Sequence, residues 1–475
     1  MFSTPPPSRP GFPDDVFDLA VIGGGPAGLA TALAARAQAP HWRVLWCRGP
    51  ERVARTFFPA YSGDCLAHLL NVPVERMGLD ARAPTDFFDW LRHAHPSRGV
   101  QAGDFVPRCW FGDYLAARAA VCDAEERFGA VSRLLHDSRG WRIDLEGEDR
   151  CSDDGCGRAQ VVRAQRVALC LGMPAGAPMP AAPANWVADP WAWWSALDSD
   201  ARGGPNDAPA AVAAPPWPGD DDSVLVVGSG LTAVDMVLGL RERGFGGLIR
   251  VVSPAGCWSE AHAPAPALDP AAREALDSAL DAAVSARALL RAIRDAARRH
   301  PWRAVIDALR ADTNTRWAAL AVDERHRLLR HAFGHWNRHR HRMAPAVLAT
   351  LLADTGVSIE TGRIHIVDGR IVKRQRGVDT PLDVALALDC RGPGLHAAPA
   401  GDSLLQRLLR DGVLEPGPLG AGARTPADPN LALLGCARFG ELFETTAVPE
   451  LRQQAVDVVR RWCDQAAPSQ SRGTR

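Results

Sequence analysis

Two short glycine-rich turns constrain this chain more than anything else in it. Phe17 to Ile22 reads as a buried strand, and Gly23-Gly24-Gly25-Pro26-Ala27-Gly28 follows at once. Leu29 to Ala39 is then a small, alanine-rich helix, and Arg43 to Cys47 a second strand. Farther on the same order recurs. Ser223 to Val227 is a strand, followed by Gly228-Ser229-Gly230-Leu231-Thr232-Ala233, a helix from Val234 to about Arg243 and a strand from Leu248 to Val252. G-x-G-x-x-G/A between strand and helix is a cradle for a dinucleotide. Its first glycine allows the tight turn, its second lets backbone approach a pyrophosphate, and its third small residue lets helix and strand pack closely. The helix tip then offers unpaired N–H groups and partial positive charge to the phosphates. The cofactor-binding candidates are Gly23, Gly25 and Gly28 in the first unit, and Gly228, Gly230 and Ala233 in the second.

The stretches between fit one architecture. Val167 to Leu171 is a short apolar run closed by Gly172, an outward crossing from the first unit. Met173 to Asp222 is rich in Pro, Ala and Asp and reads as linker and surface loop, although Trp191, Trp193 and Trp194 require part of it to pack. Pro270 to Leu352 is helical in pattern, with Trp302, Val305, Ile306 and Leu309 on one face. Val357 to Glu360 and Arg363 to Lys373 read as strands, the latter with a turn at Asp368-Gly369. Val384 to Leu388 is another buried strand, and Cys390-Arg391-Gly392-Pro393 after it marks the return crossing. Leu431 to Leu434 and a terminal helix from Thr446 to Cys463 complete the pattern. The expected fold is α/β: two Rossmann-like dinucleotide-binding domains, for FAD and NAD(P)H, the second inserted in the first, plus a helical insertion. The first domain spans 15–172 and 394–465, the second 173–393 with the helices at 264–352, and 1–14 and 466–475 are flexible tails.

Composition removes other classes. The formal charge of the 475 residues is -1, which argues against a nucleic-acid or anionic-membrane binder. No run of about 18 apolar residues marks a transmembrane helix. Met1 to Pro13 lacks the apolar core of a secretory signal, and a cytoplasmic location is expected. The 11 cysteines are scattered without C-x-x-C; even the closest pair, Cys151 and Cys156, lies in a polar loop. Neither a zinc site nor a disulfide reductase is expected.

Several further stretches carry a resemblance. They are Ala60-Tyr61, Leu69-Leu70-Asn71-Val72-Pro73 with Arg76-Met77, and Val106-Pro107-Arg108 with Phe111-Gly112 and Tyr114-Leu115. Ala188-Asp189-Pro190-Trp191, Gly230 to Asp235, His339 to Met343 and Glu444 to Arg452 follow in order. On these the chain resembles the bacterial two-dinucleotide flavoprotein monooxygenases, including the N-hydroxylating ones. The resemblance implies that NAD(P)H reduces FAD, dioxygen adds to the reduced ring, and a small polar, nitrogen-rich substrate is hydroxylated. Within the group, the FAD-dependent urate hydroxylase type, making 5-hydroxyisourate in purine breakdown, is the named expectation. An N-hydroxylase of an amino acid or amine is the alternative, and a flavin-binding sensor or partner protein without turnover is a third reading. The oligomeric state is left open.

Individual residues are less decisive. A carboxylate usually ends the second strand of such a unit and holds ribose hydroxyls, yet Cys47 or Arg48 stands there; Glu51 is a substitute, or Arg48 meets a phosphate. The second unit's second strand ends at Ser253-Pro254, with neither acid nor arginine, which tilts the expectation toward NADH over NADPH. Arg108 is read as holding phosphate or flavin, against an ordinary salt bridge. Asn71 is read as a hydrogen-bond partner of flavin or substrate. By resemblance, Thr445 and Thr446 bring the N–H groups of the last helix to the flavin's pyrimidine end. His331, His335 and His339 share a helix face and lead into Arg338, Arg340, His341 and Arg342. That cluster is either a solvated basic face or an anion site, and Arg340 and Arg342 would suit a planar anion such as urate. No metal is expected there. Trp302, Trp317 and Trp336 are read as core, with a stacked aromatic ligand as the lesser reading.

Overall fold

The structure is a computed structural model that describes residues 16–49, 61, 65–146, 160–173, 176–201, 215–392 and 402–466. Residues 1–15 and 467–475 of the expected tails and their border, with Glu51, Ala60, Cys151, Cys156 and Pro393, lie outside them, and Ala466 closes the last helix.

The first unit begins with β1 (Val16–Ile22), α1 (Pro26–Gln38) and β2 (Val44–Cys47). Next come α2 (Asp86–Ala94), α3 (Arg108–Ala120), β3 (Glu125–Arg127), β4 (Ala130–Asp137), β5 (Gly140–Glu146) and β6 (Gln160–Leu169). The sheet order is β3-β2-β1-β6-β5-β4. β1 is central and parallel to both β2 and β6. Because both its faces are covered it reads as a nearly continuous apolar run, with Leu19, Ala20 and Val21 fully buried. The β4–β5 hairpin is not among the expected strands. Its alternation, with Trp141, Ile143 and Leu145 inward, is the signal that could have found it.

The second unit comprises β7 (Trp186–Val187), α4 (Pro190–Ala201), β8 (Ser223–Val227), α5 (Leu231–Glu242) and β9 (Leu248–Ser253). A helical stretch follows: α6 (Pro270–Asp281), α7 (Ala286–Arg299), α8 (Trp302–Leu309), α9 (Thr313–Ala319), α10 (Val322–Arg340) and α11 (Pro345–Ala353). The chain returns through β10 (Val357–Thr361), the small antiparallel sheet β11 (Arg363–Val367), β12 (Arg370–Gln375) and β13 (Val378–Pro381), and then β14 (Leu386–Asp389). The parallel sheet order is β10-β9-β8-β14-β7. The expectation of linker over Met173 to Asp222 is corrected in part. β7 pairs with β14, and Trp193 and Trp194 are buried against the second core.

The last segment holds α12 (Leu404–Arg410), β15 (Glu415–Pro416), β16 (Ala423–Arg424), β17 (Leu431–Leu433) and α13 (Val448–Ala466). β17 pairs with β6 and α13 lies against α1. The first sheet thus closes with strands from both sides of the second, as an inserted unit requires. The last helix starts two residues later than expected, after Thr446 and Ala447.

Candidate active site

In the parallel part of each sheet the chain crosses from one neighbour of the central strand to the other, and the crevice opens at the carboxyl end of that strand. Gly23 leaves β1 at φ +126°, in the left-handed half of backbone space, and a Cβ there would lie 2.0 Å from the Cys170 carbonyl oxygen. A Cβ on Gly28 would lie 1.9 Å from the Gly23 oxygen, so the helix rests directly on the turn. Gly25 caps α1 in extended conformation, and no side chain caps the helix. Gly228 repeats the turn at φ +110°, with its would-be Cβ 2.4 Å from the Cys390 oxygen. Gly230 caps α5, again without a side-chain cap, and a Cβ there would meet nothing within 4 Å. Ala233 is fully buried. Two helix tips with uncapped N–H groups and close backbone packing fit the pyrophosphates of FAD and NAD(P)H.

The second strands differ from the usual pattern. Cys47 is buried and its thiol pushed up to about 12, so it has no part in hydroxyl recognition as a thiolate. Arg48 donates to both carboxylate oxygens of Glu126 on β3, at 3.2 and 3.0 Å. In the second unit Ser253 Oγ accepts from the Gly256 N–H and hydrogen-bonds Ser229 Oγ at 2.9 Å, closing the turn after β9.

Arg108 sits between the two units. It heads α3 of the first, and its guanidinium pairs at 3.0 Å with Asp235 on α5 of the second. Its Nε also donates to the Leu69 carbonyl. His68 hydrogen-bonds the Asp235 carbonyl and packs edge-on to Trp191. Glu242, at the end of α5, accepts from Cys65 Sγ and from the Leu66 and Ala67 N–H groups. Burial pushes the Asp235 carboxyl up to about 6 against the pull of Arg108. Burial, helped by Arg108, pushes His68 down to about 4. In this geometry Arg108 makes a buried ion pair between the units, a latch from the first to the second. The carbonyl of Asn71 hydrogen-bonds His262 at 3.0 Å.

The helical stretch docks on the segment that leads into α13. Asn314 Oδ1 accepts from the Phe443 and Glu444 N–H groups. Trp317 Nε1 donates to the Gly440 carbonyl, and Trp336 Nε1 donates to the Glu444 carboxylate at 2.7 Å. Arg340 pairs with Glu444 at 3.0 Å and Glu450 at 3.2 Å; Arg342 pairs with Asp307, and Arg338 with Glu260. The arginines expected to meet a planar anion are therefore each matched by a carboxylate of the protein. Thr445 is buried and Thr446 exposed. No group of three or more potential metal ligands occurs among the described residues. Asp235, His68, Glu242, Asn314 and Glu444 are not among the expected site residues. A lone acid in Ala-Val-Asp-Met-Val is the kind of polar interruption that could have revealed Asp235.

Two parallel-sheet dinucleotide cradles in one chain define an α/β two-dinucleotide protein. Residues 20–174 match a family model described as FAD-NAD(P)-binding. No curated protein matches the chain. Among solved structures, the chain is similar to the ornithine N-hydroxylase of Kutzneria sp. 744, with 14% identity over 95% of this chain and 99% of that one, and a TM-score of 0.59. The cadaverine monooxygenase of Erwinia amylovora has a TM-score of 0.60 at 12% identity over 94% of each chain. L-lysine 6-monooxygenase of Pseudomonas syringae has 0.53 at 16%, over 95% of this chain and 100% of that one. The fold is the one these flavin monooxygenases share. No described helix is long and apolar enough to cross a membrane.

Proposed function

We propose that this chain is an FAD-dependent, NAD(P)H-consuming monooxygenase that hydroxylates the nitrogen of a small amine. The observation that carries the reading is the pair of uncapped helix tips, one per sheet, in units joined by the buried Arg108–Asp235 pair. Bound FAD, reduced by the nicotinamide, supplies the oxygen-activating chemistry. Gly23, Gly25, Gly28 and the first turn of α1 hold its diphosphate; Gly228, Gly230, Ala233 and the first turn of α5 hold that of NAD(P)H. Thr446 and the first turn of α13 hold the ring's pyrimidine end, where N–H groups stabilise negative charge. Glu444, fixed by Trp336, Arg340 and Asn314, positions that turn. Residues 15–172 with 394–465 are proposed to be the FAD domain, and 173–393 the NAD(P)H domain.

An amine is preferred to urate for two reasons. The three solved structures named above are titled for ornithine, cadaverine and lysine, all amines. The arginines that favoured a planar anion are matched by Glu444, Glu450 and Asp307. The test is a purified preparation in air with NADH or NADPH and a panel of ornithine, lysine, cadaverine, aromatic amines and urate. A yellow protein that bleaches with the nicotinamide and yields a hydroxylamine supports the reading. Yellow colour without bleaching leaves a flavin binder, and 5-hydroxyisourate formation would restore the purine reading.

A further inference from the structure

The helical stretch encloses a cavity of about 290 Å³, at the small end of ligand pockets. Its walls are carbon. Trp302, Trp317, Trp336 and Phe443 supply flat faces, and Leu289 and Val305 aliphatic ones. Its polar wall groups are already engaged. Trp317 and Trp336 turn their indole N–H groups away, to the Gly440 carbonyl and to Glu444. Thr313 Oγ1 donates to the Leu309 carbonyl, and Arg316 pairs with Asp277 and Asp281. The cavity's remaining polar capacity belongs to Arg294 on α7, His331, His335 and His339 at successive turns of α10, and the Trp302 indole N–H; Arg294, His331 and His335 are exposed and form its mouth. Arg294, His331 and His335 have no side-chain partner among the described residues, while His339 Nδ1 hydrogen-bonds the His335 carbonyl. Arg294 also belongs to a basic helix, in which Arg287, Arg291, Arg294, Arg298 and Arg299 face the single acid Asp295.

From this division we infer that the cavity is a binding site for a small amphipathic carboxylate. Its apolar body lies among the indoles and its carboxylate on Arg294. The apolar body gains by leaving water, and no fully buried side-chain N or O of the wall is left without a hydrogen bond. An anionic head suits the basic mouth, whereas a cationic head meets like charge there. The inference goes beyond the oxygenase reading and does not rest on it, since it concerns binding in the helical unit alone. Phe443, on the cavity wall, immediately precedes Glu444, so a ligand here lies against the segment entering α13.

The experiment is calorimetric titration of the flavin-loaded protein with octanoate, 1-octanol and octylamine, which share a body and differ in the head. Octanoate should saturate one site, and octanol should bind about fivefold more weakly, the value of one partly exposed ion pair. Octylamine should bind more weakly still. Arg294→Gln should bring octanoate to the level of octanol and leave octanol unchanged. Ala332→Trp, which fills the cavity from α10, should abolish all three. Circular dichroism will show whether that variant folds, and the Arg294→Gln result stands without it. The inference is overturned by an absence of saturable octanoate binding, by octylamine binding equally well, or by indifference of octanoate to Arg294→Gln. It is also overturned if vesicles of phosphatidylglycerol bind the protein through Arg294 while octanoate does not, for the basic face is then a lipid surface.

Discussion

The two dinucleotide cradles have the same order of elements and very different tolerances. In the first, Gly23, Gly24 and Gly28 all sit with backbone oxygen where a Cβ would be, at 2.0, 2.4 and 1.9 Å. In the second only the turn glycine is jammed: Gly228 is hemmed at 2.4 Å, Gly230 faces open space, and the third position already carries the Cβ of Ala233. A helix that rests on its own turn can carry no side chain at the contact, whereas a slightly lifted helix admits a methyl group. The first cradle is therefore a packing requirement of the fold as well as the proposed phosphate site; in the second the two demands fall on different residues.

The largest expected effect follows from this asymmetry. Gly28→Ala places a methyl group 1.9 Å from a backbone oxygen that cannot swing aside. It should cost at least about 3 kcal/mol and leave the protein colourless after purification. Gly230→Ala, into open space, should leave the melting temperature unchanged and raise the KM for NAD(P)H, because the methyl group stands where backbone meets pyrophosphate. Equal losses of stability in the two variants would remove the distinction between the cradles.

The next effect tests what joins the units. Arg108→Met leaves Asp235 buried and unpaired and should cost about 3–5 kcal/mol by urea unfolding. Arg108→Met with Asp235→Leu removes both charges and should recover most of that loss. If the double variant is no better than the single one, the pair does not act as a latch.

The pH dependence of the latch is smaller and has two opposed parts. Asp235 titrates near 6 in the folded protein and about 3.9 unfolded, so its contribution to stability is present below about 4 and lost as pH rises through 6. His68 titrates near 4 folded and about 6.5 unfolded, so its contribution is present above about 6.5 and lost as pH falls through 4. Between pH 4 and 6 the two nearly cancel. Glu242, Arg243, Cys65 and Tyr61 also face this cluster but act on both variants alike. Relative to the parent, Asp235→Asn should make stability rise with pH over this window, and His68→Gln should make it fall, each by about 2–3 kcal/mol. Slopes of the same sign in both variants would show that the two groups do not titrate as placed.

The same contrast between local and long-range demands separates what is legible in the linear sequence from what is not. Both cradles are legible because strand, glycine turn and helix are contiguous, and local spacing alone specifies them. The strand β17 is legible because its apolar run is short and closed by Gly435, whereas its place beside β6 comes only from the folded sheet. The Arg108–Asp235 pair is not legible, since its members stand 127 positions apart and only the stacking of two folded units brings them together. The arginines at 338–342 mislead for the same reason. Their density is visible in sequence, but Glu260, Asp307, Glu444 and Glu450, which match them, come from three distant stretches. Local pattern thus specifies where a cofactor can lie, and long-range pairing decides which charges remain to meet a substrate.

The smallest effect sharpens the comparison most directly. If α5 stands off its strand far enough to admit a methyl group, Ala233→Gly removes contacts and gives the chain more freedom in the unfolded state, with no relief of strain to offset either. The cost should be about 1 kcal/mol, the ordinary difference between alanine and glycine in a helix, with the KM for NAD(P)H unchanged. Differential scanning calorimetry beside steady-state kinetics checks both halves. A stabilised Ala233→Gly protein would mean that the methyl group is strained in place. The second cradle would then be as tightly closed as the first, and the asymmetry between the units would be one of residue choice alone.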